Sequence, residues 1–275
     1  MPTFSRNGAV IHYLDTGAPA GRADAATVFF GHGLLFSGWM FHPQIAELQT
    51  EYRCVAIDWR GQGESAATQD GYDMDTLADD AVALIESLGI APVHYVGLSM
   101  GGFVGQRIAA RRPELIRSLS LLDTSAGPED PDNVSRYKLL GWIYRLTGIT
   151  PLRKAVRPIM FGPTFLADAS RKPLIEEWER RLARSPRSGI RKAVIAVAER
   201  KPVEDEIGRI QAPTLVLVGV DDAATPLAKA QRIAELIPGA RLATLPDCGH
   251  TSTLEASDTV TGLLRDFLAE NTSAH

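Results

Sequence analysis

Apolar residues fall into two kinds of run along this chain. Thr27 to Phe30, Tyr52 to Ile57, Val93 to Val96, Ser118 to Leu122 and Thr214 to Val218 are short and nearly continuous, the signature of strands buried on both faces. Between them the period lengthens. Leu77, Ala81, Leu84, Ile85 and Leu88 recur at helical spacing and stop at Gly89, where a C-terminal cap belongs. Phe103, Val104, Arg107 and Ile108 predict a helix ended by Pro113, and Leu227, Ala230, Ile233 and Ile237 predict one opened by Pro226. A last strand, Arg241 to Leu245, precedes one further helix carrying Leu254, Val260, Leu263, Leu264 and Phe267. Near the start, Asn7-Gly8 separates Phe4–Arg6 from Ala9–Leu14 and predicts a hairpin with a type I′ turn.

Strands that alternate with helices must pair in parallel through right-handed crossovers, so the pattern predicts an α/β fold with helices on both faces of the sheet. Residues 126–208 break the alternation. They hold no strand-like run, only helical patterns interrupted by Pro151, Pro158, Pro163, Pro173, Pro186 and Pro202. The expected organisation is a core of residues 1–125 and 209–275 with a helical cap inserted at 126–208. No internal repeat is present.

Composition narrows the function classes. The 275 residues are 45% hydrophobic and 23% charged, with a formal charge of −4, close to the average soluble globular protein. Without a basic excess there is no general attraction to phosphate backbones or anionic lipid, which argues against nucleic-acid and membrane partners. The first residues lack the charged-then-apolar pattern of a secretory signal, and no apolar run reaches the ~20 residues that span a bilayer. Ser273-Ala274-His275 matches no anchor or retention signal. Two cysteines, Cys54 and Cys248, form neither a disulfide framework nor a metal-site spacing. No phosphate loop or dinucleotide fingerprint appears. The expectation is a soluble cytoplasmic protein without cofactor or metal.

Gly97-Leu98-Ser99-Met100-Gly101 fits G-x-S-x-G, with a strand before it and a helix after it. A serine on so sharp a turn takes a strained backbone conformation, and side chains at Gly97 and Gly101 would collide with neighbouring chain. The turn lifts the Ser99 hydroxyl above the sheet edge and puts the Met100 N–H at a helix N-terminus, where it can receive developing negative charge. A serine hydroxyl needs a base, and the base needs an orienting group. His250 follows the final strand, over the sheet edge where ligands gather. His12, His94 and His275 read as structural or surface positions, and His42, in a loop or early helix, as a residue that either faces solvent or touches a pocket. Asp221 and Asp222 follow the strand ending at Gly219, and Asp123 follows the strand ending at Leu122.

With His32-Gly33 after a strand, Asp58-x-Arg60-Gly61-x-Gly63-x-Ser65, the serine turn, the acid after Gly219 and the late Gly249-His250, the sequence resembles the α/β-hydrolase family over nearly its whole length. The closest fragments resemble esterases, enol-lactonases of aromatic catabolism and non-haem haloperoxidases. The resemblance implies the order serine, acid, histidine: Ser99 as nucleophile, Asp222 as acid and His250 as base. It leaves Asp123 and Asp221 as alternatives to Asp222. It also implies an oxyanion hole from the Leu34 and Met100 N–H groups, with His32 holding that loop, and a structural role for Arg60, Gly61, Gly63 and Ser65.

Residues 126–208 carry 16 Lys and Arg against 11 Asp and Glu, a net of +5, leaving −9 elsewhere. A basic cap over an acidic body is compatible with an electrostatic match between layers, with an anionic substrate, or simply with amphipathic helices whose cationic faces are solvated. Trp142, Phe161 and Trp178 are expected in the cap's own core, and Gly33, Phe36 and Trp39 are candidate substrate contacts. The expected activity is cofactor-free hydrolysis of a small-molecule ester or lactone. A carbon–carbon bond hydrolase is disfavoured because Leu98 and Thr251 stand where those enzymes usually carry asparagine and tryptophan. Dehalogenase and epoxide hydrolase chemistry needs an aspartate where Ser99 stands. A non-catalytic ligand receptor is the other class, and the sequence is compatible with a homo-oligomer.

Overall fold

The computed structural model describes residues 2–272, so the terminal His275 lies outside the described residues. The strands are β1 (Thr3–Arg6), β2 (Ala9–Asp15), β3 (Thr27–Gly31), β4 (Arg53–Ile57), β5 (Val93–Leu98), β6 (Ile116–Leu122), β7 (Thr214–Gly219) and β8 (Arg241–Leu245). They form one sheet in the order β1-β2-β4-β3-β5-β6-β7-β8. The predicted hairpin joins β1 to β2, and β2 runs antiparallel to β4. Every pairing from β4 through β3, β5, β6 and β7 to β8 is parallel.

Around the sheet lie α1 (His42–Leu48), α2 (Met74–Leu88), α3 (Met100–Arg111), α10 (Leu227–Leu236), α11 (Ser252–Glu255) and α12 (Ser257–Thr272); between β6 and β7 run only helices, α4 (Pro131–Thr147), α5 (Arg153–Met160), α6 (Pro163–Ala167), α7 (Lys172–Arg184), α8 (Arg187–Ala198) and α9 (Glu204–Ile207).

The strand period of two divides the core. Phe29, Val55, Tyr95, Leu121 and Val216 point to the side of α2, α3 and α10. Phe30, Ala56, Val96, Leu122 and Leu217 point to the side of α1 and α12. Strands β3, β5 and β7 are buried throughout, which is why they read as unbroken apolar runs. Strand β8 has a partner on one side only and exposes most of its residues.

Two sequence expectations change. The single last helix is two, because Ala256 leaves the helical conformation at φ −122, ψ 44 between α11 and α12. Trp142 is not in a core. It sits on the outer face of α4, 52% exposed, with the Arg191 guanidinium 4.1 Å from its ring centre. Phe161 and Trp178 are buried as expected, in edge-to-face contact with each other.

Candidate active site

Ser99 lies between β5 and α3 with φ 51 and ψ −111, a left-handed value costly for any residue with a Cβ. The surroundings hold it there. Its N–H donates to Leu122 O (2.9 Å), and its carbonyl accepts from Phe103 N–H (3.0 Å) and from the Thr124 hydroxyl (2.8 Å). The two glycines are required by close approach: a Cβ on Gly101 would overlap the Gly31 carbonyl, and one on Gly97 would press on Gly101 O at 2.5 Å.

The structure brings Ser99, His250 and Asp222 together. Ser99 Oγ is 2.9 Å from His250 Nε2, and His250 Nδ1 is 2.9 Å from Asp222 Oδ2 and 3.0 Å from Oδ1. All three are buried. Asp222 Oδ1 accepts from the N–H groups of Ala224 (2.8 Å) and Thr225 (2.9 Å), and Oδ2 accepts from the Thr225 hydroxyl (2.7 Å). Burial raises the Asp222 pKa, but His250 and these bonds more than offset it, so the acid stays below the usual carboxylate value. Burial likewise depresses His250, and the adjoining Asp222 charge reverses the sign, leaving the imidazole above its ordinary value. With Asp222 ionised, Nδ1 carries its proton toward the carboxylate and Nε2 is free to accept from Ser99.

The alternative acids make no hydrogen bond to the His250 ring. Asp123 is fully buried and accepts from Gly219 N–H (2.9 Å) and Ser252 N–H (3.3 Å), tying β7 to α11. Burial and the Asp222 charge push its pKa up to about 8. Asp221 is half-buried and uses its own N–H on Cys248 O.

His32 is buried, with Nδ1 2.7 Å from Gly33 O and Nε2 accepting from Trp59 N–H at 3.0 Å. Burial holds its pKa down to about 3, so it is a neutral strut for the loop and not a proton carrier. Leu34 and Met100 N–H have no acceptor among the described residues, so both are available to a ligand. Leu35 then takes φ 67, its N–H donating to Gln62 Oε1 (2.9 Å) and its carbonyl accepting from Trp178 Nε1–H (3.1 Å).

That left-handed residue redirects the chain. Leu34 and Leu35 border the cavity at Ser99, whereas Phe36 and Trp39 turn away into a separate cleft beside His42, Trp178 and Arg181. Phe36 stacks against Trp39 and Trp178. The expected substrate contacts at Phe36 and Trp39 are therefore not walls of the Ser99 cavity. Gly33 does not line it either: its missing Cβ leaves space for Leu98 Cδ2, 3.0 Å from where that atom would be.

The Ser99 cavity has about 100 Å³ of room. Its walls beyond Ser99 and His250 come largely from α4, α5 and α8, and they are predominantly apolar. None of the lysines and arginines of residues 126–208 lines it. Arg153 and Arg157 reach Glu179, Arg180 and Arg181 reach Glu177, and Lys192 donates to the Thr68 and Gln69 carbonyls. The cations named here thus pair away from the cavity and not on its wall.

Other residues at the site carried no sequence signal. Thr225 secures the Asp222 carboxylate. The Glu255 carboxylate accepts from the N–H groups of Gly249 (2.9 Å), Thr251 (3.0 Å) and Gly162 (2.9 Å), binding the histidine loop to the segment before α6. Glu129 and Tyr137 line the cavity from the start of the helical stretch. Arg60, a structural expectation, makes a buried two-pronged pair with Asp80 at 2.6 and 2.9 Å. Among the described residues no cluster of three or more His, Cys, Asp or Glu could hold a metal ion, and no helix is long and apolar enough to cross a membrane.

Known proteins share this architecture. The chain is 29% identical over 248 residues to a Stutzerimonas stutzeri protein whose name gives it as a candidate carbamate hydrolase (RutD), covering 90% of this chain and 93% of that one. An enol-lactonase from Burkholderia xenovorans superposes with a TM-score of 0.88 at 28% identity, covering 98% of this chain and 100% of that one. A thermophilic esterase from Thermogutta terrifontis gives 0.87 at 28% identity, covering 98% and 97%. The model of the alpha/beta hydrolase fold family matches residues 26–257, and to that family the chain belongs.

Proposed function

We propose that the chain hydrolyses a carboxylic ester or lactone through an acyl-enzyme on Ser99. The observation that carries this reading is the buried relay from Ser99 Oγ to His250 Nε2 to Asp222 within hydrogen-bond distance, beside two backbone N–H groups without acceptors. In the proposed reaction Ser99 Oγ attacks the carbonyl carbon as His250 Nε2 takes its proton, and Asp222 stabilises the imidazolium. The carbonyl oxygen becomes negative between the Leu34 and Met100 N–H groups. Removing one such donor costs on the order of 10²–10³ in rate. Collapse of the tetrahedral adduct expels the alkoxide, which takes the proton from His250. Water then attacks the acyl-enzyme, His250 receives its proton, and the carboxylic acid leaves as Ser99 Oγ recovers that proton.

In this reading residues 126–208 act as a cap, because α4, α5 and α8 supply most of the apolar wall over Ser99. The test is hydrolysis of p-nitrophenyl esters from acetate to octanoate by the native protein and Ser99→Ala. A fall of at least ~10⁴ in kcat for the variant supports the reading. Equal rates in both proteins overturn it, and stable acylation without turnover favours a receptor.

A further inference from the structure

The charge inside the cavity, as opposed to the charge of the surrounding helices, bears on which esters the site can admit. Building on the Ser99 reading, we propose that the cavity takes an uncharged, apolar acyl chain and that Glu129 makes it reject a substrate carrying a carboxylate.

Glu129 is 8% exposed and, among the described residues, is the one Asp, Glu, Lys or Arg on the cavity wall. Its Oε2 accepts from Arg200 Nη1 at 2.8 Å, and its Oε1 accepts from Asp130 N–H (3.1 Å) and Asn133 Nδ2 (3.4 Å). Arg200 is not a wall residue. It lies over the Phe103 ring at 4.3 Å and is spent on Glu129, the Gly127 and Val197 carbonyls and Ser125 Oγ. The pair is therefore a dipole with its negative end at the cavity and its positive end behind Phe103. Away from Ser99, His250 and the N–H groups beside them, the Tyr137 hydroxyl is the one polar group of the remaining wall, among the described residues, left to meet an anion. Leu140, Ile149, Leu152 and Val156 are apolar, and the Tyr144 hydroxyl already donates to Leu182 O.

A carboxylate entering this space loses its water, gains no cation and faces the Glu129 oxygens. A methyl group at the same position loses little and fills apolar space. The mismatch between a basic surface and an anion-rejecting interior follows from where the arginines end.

The experiment compares kcat/KM for p-nitrophenyl hexanoate with that for its ω-carboxylate analogue, mono-p-nitrophenyl hexanedioate. The native protein is expected to prefer the neutral ester by on the order of 100-fold. Glu129→Gln leaves the Arg200 charge unopposed and should narrow that ratio by about tenfold. Because an unpaired buried arginine can prevent folding, Glu129→Gln/Arg200→Met removes both charges and should give an intermediate ratio. A native ratio within about threefold of unity overturns the proposal. A native preference that both variants retain in full overturns the role of Glu129. Failure of the underlying reading looks different: neither ester is cleaved, or Ser99→Ala cleaves them as fast as the native protein.

Discussion

Ser99 and Asp222 stand just beyond the ends of the buried strands β5 and β7, and His250 follows β8, so the proposed reacting groups are held by backbone. The helical stretch between β6 and β7 faces the same cavity with side chains alone. At the sheet edge, a Cβ added at Gly97 or Gly101 meets main-chain atoms. Among the helices, Gly189 of α8 and Gly162 meet backbone where the stretch rests on Gly61 and Gly249, but Gly141 of α4, on the cavity wall, has Val194 and Arg191 side-chain atoms nearest, the first 3.3 Å from where a Cβ would be. Backbone contacts cannot give way without moving strands, whereas side chains can repack. In the proposed reading the chemistry sits where the fold is least adjustable and the substrate walls where it is most so. Changes at the edge should act on kcat, and changes in the helices on chain-length preference and KM.

The strongest test of that division is Asp222→Asn. The amide keeps the shape but removes the charge that offsets burial of the imidazolium, and kcat is expected to fall by about 10⁴. The pH profile supplies the sign. His250 must be neutral to accept from Ser99, and in the native protein its pKa lies above the ordinary histidine value because Asp222 outweighs desolvation. The acid limb of kcat/KM should therefore lie above pH ~6.5 in the native protein, with activity lost as pH falls through it. In Asp222→Asn the desolvation remains and the charge is gone, so residual activity should persist to lower pH. An acid limb unmoved by the substitution would detach His250 from Asp222.

Glu255→Gln probes the seam between the two regions, since one carboxylate holds Gly249 and Thr251 beside the histidine and Gly162 before α6. A glutamine amide must turn its NH₂ toward at least one of these N–H donors, leaving it unsatisfied at a cost of about 1–3 kcal/mol in stability. Positioning of His250 should suffer as well, with kcat down about tenfold. Glu255 also helps raise the His250 pKa, so the acid limb should shift downward, by less than in Asp222→Asn. A lowered melting temperature with unchanged kcat and pH profile would make Glu255 a purely structural clamp.

The same contrast explains what could be read from the sequence. Strands buried on both faces and a serine turn between glycines leave local signatures, because neighbouring backbone forbids alternatives. Ser99, His250 and Asp222 stand out as candidates for that reason, and the structure brings them within hydrogen-bond distance, although the choice of Asp222 over Asp221 and Asp123 leans on resemblance. Phe36 and Trp39 lie in the cleft beside the Ser99 cavity and not in it, past a Leu35 at φ 67, a conformation that leucine does not announce. The break at Ala256 has no glycine or proline to mark it. Glu129 and Arg200 pair across 71 residues, and a contact made only by tertiary packing has no local pattern.

The smallest expected effect isolates the helices. Val156 of α5 is buried and lines the cavity, and it touches none of the reacting groups through a hydrogen bond. Val156→Phe fills part of the cavity's about 100 Å³ and should cost about 1–3 kcal/mol of stability through overpacking. Hydrolysis of p-nitrophenyl acetate should stay within about twofold of native in kcat, because the relay at the sheet edge is untouched. The chain-length optimum should shorten by about two carbons, with KM for octanoate up about tenfold, since each excluded methylene forfeits its burial. A shifted optimum with kcat on acetate intact would locate the acyl chain against α5. If the optimum stays fixed while stability falls, the chain lies elsewhere and the helices do not set its length.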